Sequence, residues 1–309
     1  MNPPVATAEG AAHRQTMRAG LVFAILAATG FSLKSVIVKY AYAWQVDPIT
    51  FLTLRNFFAL PLLLWVALRE WPLQAGRPLS RRGWLAIGVL GILGGYLSGI
   101  ADYTGLRYIS AALERLVLFT YPTFTLILGA LFLGQRIGWR EVGTCVLCYL
   151  GIAAAFVQDL RGGTDTATVW TGGAYVLCAA MTYAMYLTGT NRMVSVVRPA
   201  LLTVLTLLVA VGAMLLHFTF TRPWSGMLQP WPVYAYAFLV AWFCTVLPSM
   251  ALSAAIHRIG SGRSALIGTL GPPFTIALGW VTLGDPFSWW QLAGCGLVLA
   301  GVLLIGRSR

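Results

Sequence analysis

The sequence predicts an all-α integral membrane protein, with ten transmembrane helices arranged as two inverted five-helix repeats. Composition points there first: of 309 residues 58% are hydrophobic and 10% charged, with a mean hydropathy of +0.77, a balance foreign to water-soluble globules. Segmentation points there next, because the chain divides into apolar stretches of about 20 residues, each able to cross a ~30 Å hydrocarbon core. The third observation is an internal duplication. Residues 106–151 realign without a gap on 256–301, with 13 identities in 46 positions, the mark of a repeated unit. Pro122, Phe124 and Thr125 fall on Pro272, Phe274 and Thr275, while Trp139, Cys145 and Gly151 fall on Trp289, Cys295 and Gly301. Five helices per copy is an odd number, so the second copy enters the membrane from the opposite side.

Taken in order, a polar tail at 1–18 precedes spans at 19–40, 48–68, 84–106, 109–133 and 138–157, which form the first repeat, 19–157. A linker at 158–168, placed outside the cell, leads to the second repeat, 169–306, with spans at 169–190, 199–220, 231–256, 262–283 and 287–306. The first helices of the two copies pair more weakly, Ala27-Ala28 falling on Ala179-Ala180. Together the spans leave no room for a soluble catalytic or binding domain.

Arginine placement sets the orientation. With the N-terminus inside, fourteen arginines fall in inside loops and tails and three, Arg107, Arg161 and Arg222, fall outside. That positive-inside bias puts both termini in the cytoplasm. The net charge of +12 then reads as topology and contact with anionic lipid rather than nucleic-acid binding. The apolar run after Arg18 continues past a signal-peptide core with no small-x-small cleavage site, so it is read as an uncleaved first helix. All five cysteines lie in apolar segments, and the CxxC of Cys145 and Cys148 is read as two small buried residues. Three histidines give zinc little to bind. No metal and no cofactor is expected, and with no nucleotide-binding loop ATP is not a direct driver.

Away from the span ends lie the charged residues Lys34, Arg55, Asp102, Glu114 and Arg115, while Lys39 is expected to snorkel to the interface. A charge in hydrocarbon costs at least ~2.5 kcal/mol, so all five are expected to face protein or water. Counting ~1.5 Å per residue from each helix centre places them in the outer half of the bilayer. Their duplicate positions are mostly neutral: Asp102 aligns with Leu252, Glu114 with Ser264, Arg115 with Ala265 and Lys34 with Tyr186. Two readings stand. The charges either pair with one another structurally, or handle substrate and protons, Lys34 and Asp102 then meeting the carboxylate and ammonium of a zwitterion.

Gly91, Gly95 and Gly99 make a double GxxxG ridge that permits a close helix crossing; it either packs or bends as access switches. Pro122 and Pro272 are expected to kink their helices mid-span and to line a cavity, and Pro248, followed by Ser249, is a further kink candidate. Tyr96, Tyr103, Tyr121, Tyr183 and Trp242 lie deeper than the belt of tryptophans at the span ends. They are either core or walls of a pocket that admits apolar or aromatic side chains.

The stretches Ala112 to Gly151 and Gly262 to Gly301 resemble the EamA module of the drug/metabolite transporter superfamily. The resemblance rests on the Pro-x-Phe-Thr at 122–125 and 272–275, the closing Leu-Gly at 133–134 and 283–284, and the Gly-rich last helix of each copy. Within that superfamily the chain is similar to YddG-type exporters of aromatic and other amino acids. Where the family carries Glu after Leu-Gly, this chain has Gln135 and Asp285. The resemblance implies export across the cytoplasmic membrane. Inverted repeats alternate access around a central site, which by itself points to a secondary transporter; joined to the resemblance, the expectation is a non-enzymatic exporter of amino acids or similar small metabolites in the cytoplasmic (inner) membrane, as a monomer. Another cargo, such as a drug cation, a nucleotide sugar or a phosphorylated metabolite, is the alternative. A channel or an intramembrane enzyme fits worse, because no catalytic motif lies at membrane depth.

Overall fold

A computed structural model describes residues 5–74, 79–133, 138–161, 165–268, 270–285 and 288–307, and the regular structure among them is helical throughout. Helix α1 (Val5–Tyr42) carries tail and first span as one helix. Helix α2 (Pro48–Glu70) starts at a strong signal: Asp47 accepts from the N–H groups of Ile49 (3.1 Å) and Thr50 (3.2 Å), with Pro48 in the first turn. Helix α3 (Arg81–Gly91), capped by Ser80, passes through a π-helical turn at Ile92–Leu97 into α4 (Ser98–Tyr108). Ile109 is extended, and Ser110 caps the short α5 (Ala111–Leu118). Helices α6 (Tyr121–Leu133) and α7 (Trp139–Arg161) follow.

The second half repeats this plan. Helices α8 (Thr166–Met193), α9 (Pro199–Thr221) and α10 (Trp231–Ala241) lead through a π turn at Trp242–Val246 into α11 (Leu247–Gly268). Helix α12 (Gly271–Leu278) ends in a π turn at Gly279–Leu283, and α13 (Trp289–Arg307) closes the chain. Helices α10, α12 and α13 begin at 231, 271 and 289, each 150 residues after α3, α6 and α7 at 81, 121 and 139. The π turns beginning at 92 and 242 keep the same spacing of 150.

Packing is reciprocal between the halves: α1 lies along α11 and α4 along α8, while α2 pairs with α9 and α7 with α13. Small residues make the crossings. A Cβ on Gly151 would collide with the Gly294 carbonyl and one on Gly294 with the Gly151 carbonyl, and Gly105 and Gly172 meet in the same way between α4 and α8. The ridge read from the sequence is used on three sides. Gly91 and Gly95 lie against Thr206, Val209 and Ala210 of α9, Gly99 against Leu52 of α2, and the neighbouring Gly94 against Tyr186 of α8.

Three expectations change. The connection expected at 256–262 is helical: α11 runs on to Gly268, because no proline interrupts 249–271 and the stop comes ahead of Pro272-Pro273. The expected span 109–133 is two helices that part at Phe119-Thr120. Pro122 and Pro272 therefore sit in the first turns of α6 and α12, where a missing N–H is tolerated, and do not kink an uninterrupted helix. The tail, from Val5 on, is helical.

Among the described residues, six helical runs are long and apolar enough to cross a membrane: Thr16–Tyr42, Pro48–Gln74, Arg81–Tyr108, Ala111–Phe132, Pro199–Thr221 and Trp231–Ile259. Cys145–Val157 and Trp289–Ala300 are shorter apolar stretches. Helix α8 is too rich in Thr, Tyr and Gly to join the six; it packs against α3, α4, α5 and α6, and its buried residues are Val169, Gly172, Val176, Ala179, Ala180 and Ala184. Leu68, Leu85, Leu131, Phe132, Phe220 and Val281 stand exposed around the molecule, an apolar surface suited to lipid rather than water.

Candidate functional site

Helix α5 is buried on every side from Ala111 to Val117, so its two charged residues are largely withdrawn from solvent. Glu114 has 0% of its surface exposed and Arg115 8%. The i and i+1 positions on a helix diverge, and the two side chains serve different neighbours. One Glu114 oxygen accepts from Lys34 Nζ of α1 at 3.1 Å, and the other accepts from the Ser35 hydroxyl at 2.5 Å. Lys34 also donates to Asp102 of α4 and lies 5.6 Å from the Tyr103 ring centroid. One ammonium is thus shared by two buried carboxylates. Asp102 keeps one buried oxygen, Oδ1, without a hydrogen-bond partner.

Arg115 turns the other way. Its guanidinium lies 5.3 Å from the Phe119 ring centroid, its Nε has no hydrogen-bond partner, and it forms no ion pair among the described residues. It reaches the gap between α11 and α12, where a Cβ on Gly271 would stand 2.9 Å from Nη2 and 3.5 Å from the Ser32 hydroxyl. Ser32 joins α1 to that gap: its hydroxyl donates to the Gly271 carbonyl at 3.1 Å, and its own carbonyl accepts from Thr275 at 3.1 Å. From Phe119 a row of rings continues: Tyr121 at 6.0 Å, Tyr183 of α8 at 5.2 Å from Tyr121, and Tyr186 at 5.8 Å from Tyr183.

Other residues singled out in the sequence have their own partners. Tyr96 bonds His217 Nδ1 of α9 at 2.9 Å, and Tyr103 is buried against Phe51 with its hydroxyl unpaired. The Trp242 indole N–H donates to the Phe58 carbonyl at 3.0 Å while its ring stacks on Phe238. Ser249 donates back to the Thr245 carbonyl at 2.6 Å. Pro248 fills the space left by Gly30 of α1. Gln135 lies outside the described residues; Asp285 folds back over Gly279, and its burial raises the carboxyl above its usual range against the pull of Lys39.

Several contributors escaped the sequence reading. Ser35 follows Lys34 directly and is the second donor to Glu114, but only the fold shows that α1 and α5 meet. Arg55, a charge without a role in the sequence, donates to Asn56 at 2.8 Å and to Thr245 at 2.9 Å, tying α2 to the second π turn. Gly271 carried a readable signal: it occupies the position that is Tyr121 in the first copy, so one half is hollow where the other is full.

Comparison with known proteins places this architecture. The chain is 29% identical over 291 residues to the uncharacterized transporter YcbK of Bacillus subtilis, covering 90% of this chain and 89% of that one. It is 26% identical over 317 residues to the uncharacterized transporter sll1319 of Synechocystis, 94% of each being covered. A probable terminal-alkyne amino-acid exporter of Streptantibioticus cattleyicolor is 28% identical over 250 residues, with 78% and 79% covered. A solved crystal structure with 16% identity superposes with a TM-score of 0.60 over 92% of this chain and 95% of that one, a likeness of fold. Residues 18–157 and 170–307 both match one family description, and on that match the chain belongs to the EamA-like transporter family.

Proposed function

We propose that this protein is a secondary transporter that exports amino acids, aromatic ones among them, or closely similar small metabolites by alternating access. In this reading it crosses the cytoplasmic membrane ten times as two inverted five-helix repeats, residues 19–157 and 169–306, with both termini inside, and it works as a monomer. The observation that carries the reading is the buried ion group of Lys34, Asp102 and Glu114, set among the elements that the two halves exchange. Helix α1 of the first half, which holds Lys34, packs along α11 and α12 of the second, while α4 and α5, which hold the two acids, pack along α8. A buried charge group that bridges mobile packing partners has two ways to be satisfied, and inverted repeats supply two such arrangements. The breaks before Pro122 and Pro272, and the matched π turns at 92 and 242, are the places where the helices bend between them. The kinship to a probable amino-acid exporter supports the cargo.

The test is uptake of labelled phenylalanine, leucine and alanine by proteoliposomes that contain only this protein, with and without an imposed pH gradient. Saturable uptake above empty liposomes is expected for at least one of them. Folded protein that moves none of the three would move the cargo to another class of metabolite.

A further inference from the structure

Arg115 is buried in a region that has no obvious use for it. The guanidinium is 8% exposed, its Nε has no hydrogen-bond partner, it forms no ion pair among the described residues, and it lies over the ring of Phe119. The nearest acid along the chain, Glu114, is fully engaged with Lys34 and Ser35. The fold makes room for the guanidinium itself, which packs against Gly271. Gly271 stands where the first copy has Tyr121, and any side chain there would meet Nη2 at 2.9 Å. What the place offers an anion is the fork of Arg115; the Ser32 hydroxyl beside it is already directed at the carbonyls of Ala28 (2.6 Å) and Gly271 (3.1 Å).

The other wall is aromatic. Phe119, Tyr121, Tyr183 and Tyr186 form a continuous row, adjacent rings lying 5.2–6.0 Å apart, and it starts at the ring that Arg115 covers. The three tyrosines are only partly buried. A planar fork that matches a carboxylate in bidentate fashion, at the end of a row of rings that accept an aromatic face, is complementary to one chemical class. We propose that Arg115 is the receptor for the carboxylate of an aromatic carboxylic substrate whose ring lies along Tyr121, Tyr183 and Tyr186. The inference rests on the exporter reading and deepens it, since it assigns the acid end of an aromatic amino acid to Arg115 and not to Lys34, which is already held by two carboxylates.

The experiment is competition against labelled phenylalanine in proteoliposomes, with two analogues that each lack one end: 3-phenylpropionate, which keeps the carboxylate, and phenethylamine, which keeps the ammonium. For the unaltered protein 3-phenylpropionate is expected to compete at least about tenfold better, the worth of one charge-assisted bond. In Arg115→Gln that preference collapses, and in Arg115→Lys part of it returns. Gly271→Ala keeps every charge yet pushes the guanidinium aside, and it should weaken 3-phenylpropionate while leaving phenethylamine unchanged. Equal competition by the two analogues in the unaltered protein, or an undiminished preference in Arg115→Gln, overturns the proposal. If phenylalanine is not carried at all, thermal unfolding in detergent decides separately. A rise in midpoint with 3-phenylpropionate that Arg115→Gln abolishes keeps the receptor and discards the amino-acid cargo; no rise in the unaltered protein discards both.

Discussion

Glu114 sets the stakes at the scale of single residues. Both its oxygens are bonded and none of its surface reaches solvent, so Glu114→Ala would leave Lys34 and Ser35 facing a void. Breaking a buried ion group from one side costs about 3–5 kcal/mol, and the unfolding midpoint in detergent should fall accordingly; a loss under about 1 kcal/mol would mean that water already enters the group. Asp47 gives a gentler case at the rim. Burial alone would raise its pKa, but hydrogen bonds from the Thr50 hydroxyl and amide, together with Arg222, outweigh it and hold the carboxyl below its usual range. A depressed pKa gives stability that is present above the unfolded value, near 3.9, and lost as pH falls through the lower folded value. Asp47→Ala should thus cost about 1 kcal/mol at pH 7, and its gap from the unaltered protein should close below about pH 3.9. At this scale the sequence showed which charges needed partners. It did not show who the partners were, because Lys34, Asp102 and Glu114 are joined across 68 and 80 residues of chain.

At the scale of elements, the glycine crossings and the helix breaks carry the fold. Gly151 and Gly294 place α7 and α13 in backbone contact, so Gly151→Leu has no way to keep that approach and should lower stability by about 1–3 kcal/mol. A surface change such as Trp139→Leu, at an exposed helix start, should stay within about 0.5 kcal/mol; comparable losses in the two variants would argue against a close α7–α13 crossing. The start expected at 48 is that of α2, whereas α3 and α5 begin at 81 and 111 and not at the expected 84 and 109; local caps set these starts, Asp47, Ser80 and Ser110 each bonding a backbone N–H two or three residues on. The π turns were not legible, since they arise where a helix meets its neighbours. In the second, the Thr245 hydroxyl donates to the Val240 carbonyl at 2.9 Å, five residues back, while Pro248 leans on Gly30. The break before each conserved-in-both-copies Pro was legible only as a kink, because the sequence shows the missing N–H and not the preceding turn.

For the whole molecule, the duplication read at an offset of 150 returned in the starts of three helix pairs and in the two π turns. Chemistry did not follow that symmetry. Glu114 and Arg115 have Ser264 and Ala265 as counterparts, and Tyr121 has Gly271, so the first half supplies the charges, while the row of rings is drawn from both halves, with Tyr183 and Tyr186 coming from the second. In the proposed reading the two halves exchange shapes, and the asymmetric centre gives the exchange something to bind. A carrier that works this way moves cargo faster when cargo also waits on the other side. The most direct measurement is counterflow: proteoliposomes loaded with unlabelled phenylalanine are diluted into a trace of the labelled compound. The account predicts a transient overshoot of label inside the vesicles, saturating with the internal load. Label that only drifts to equilibrium, at the same rate with and without internal phenylalanine, would contradict it.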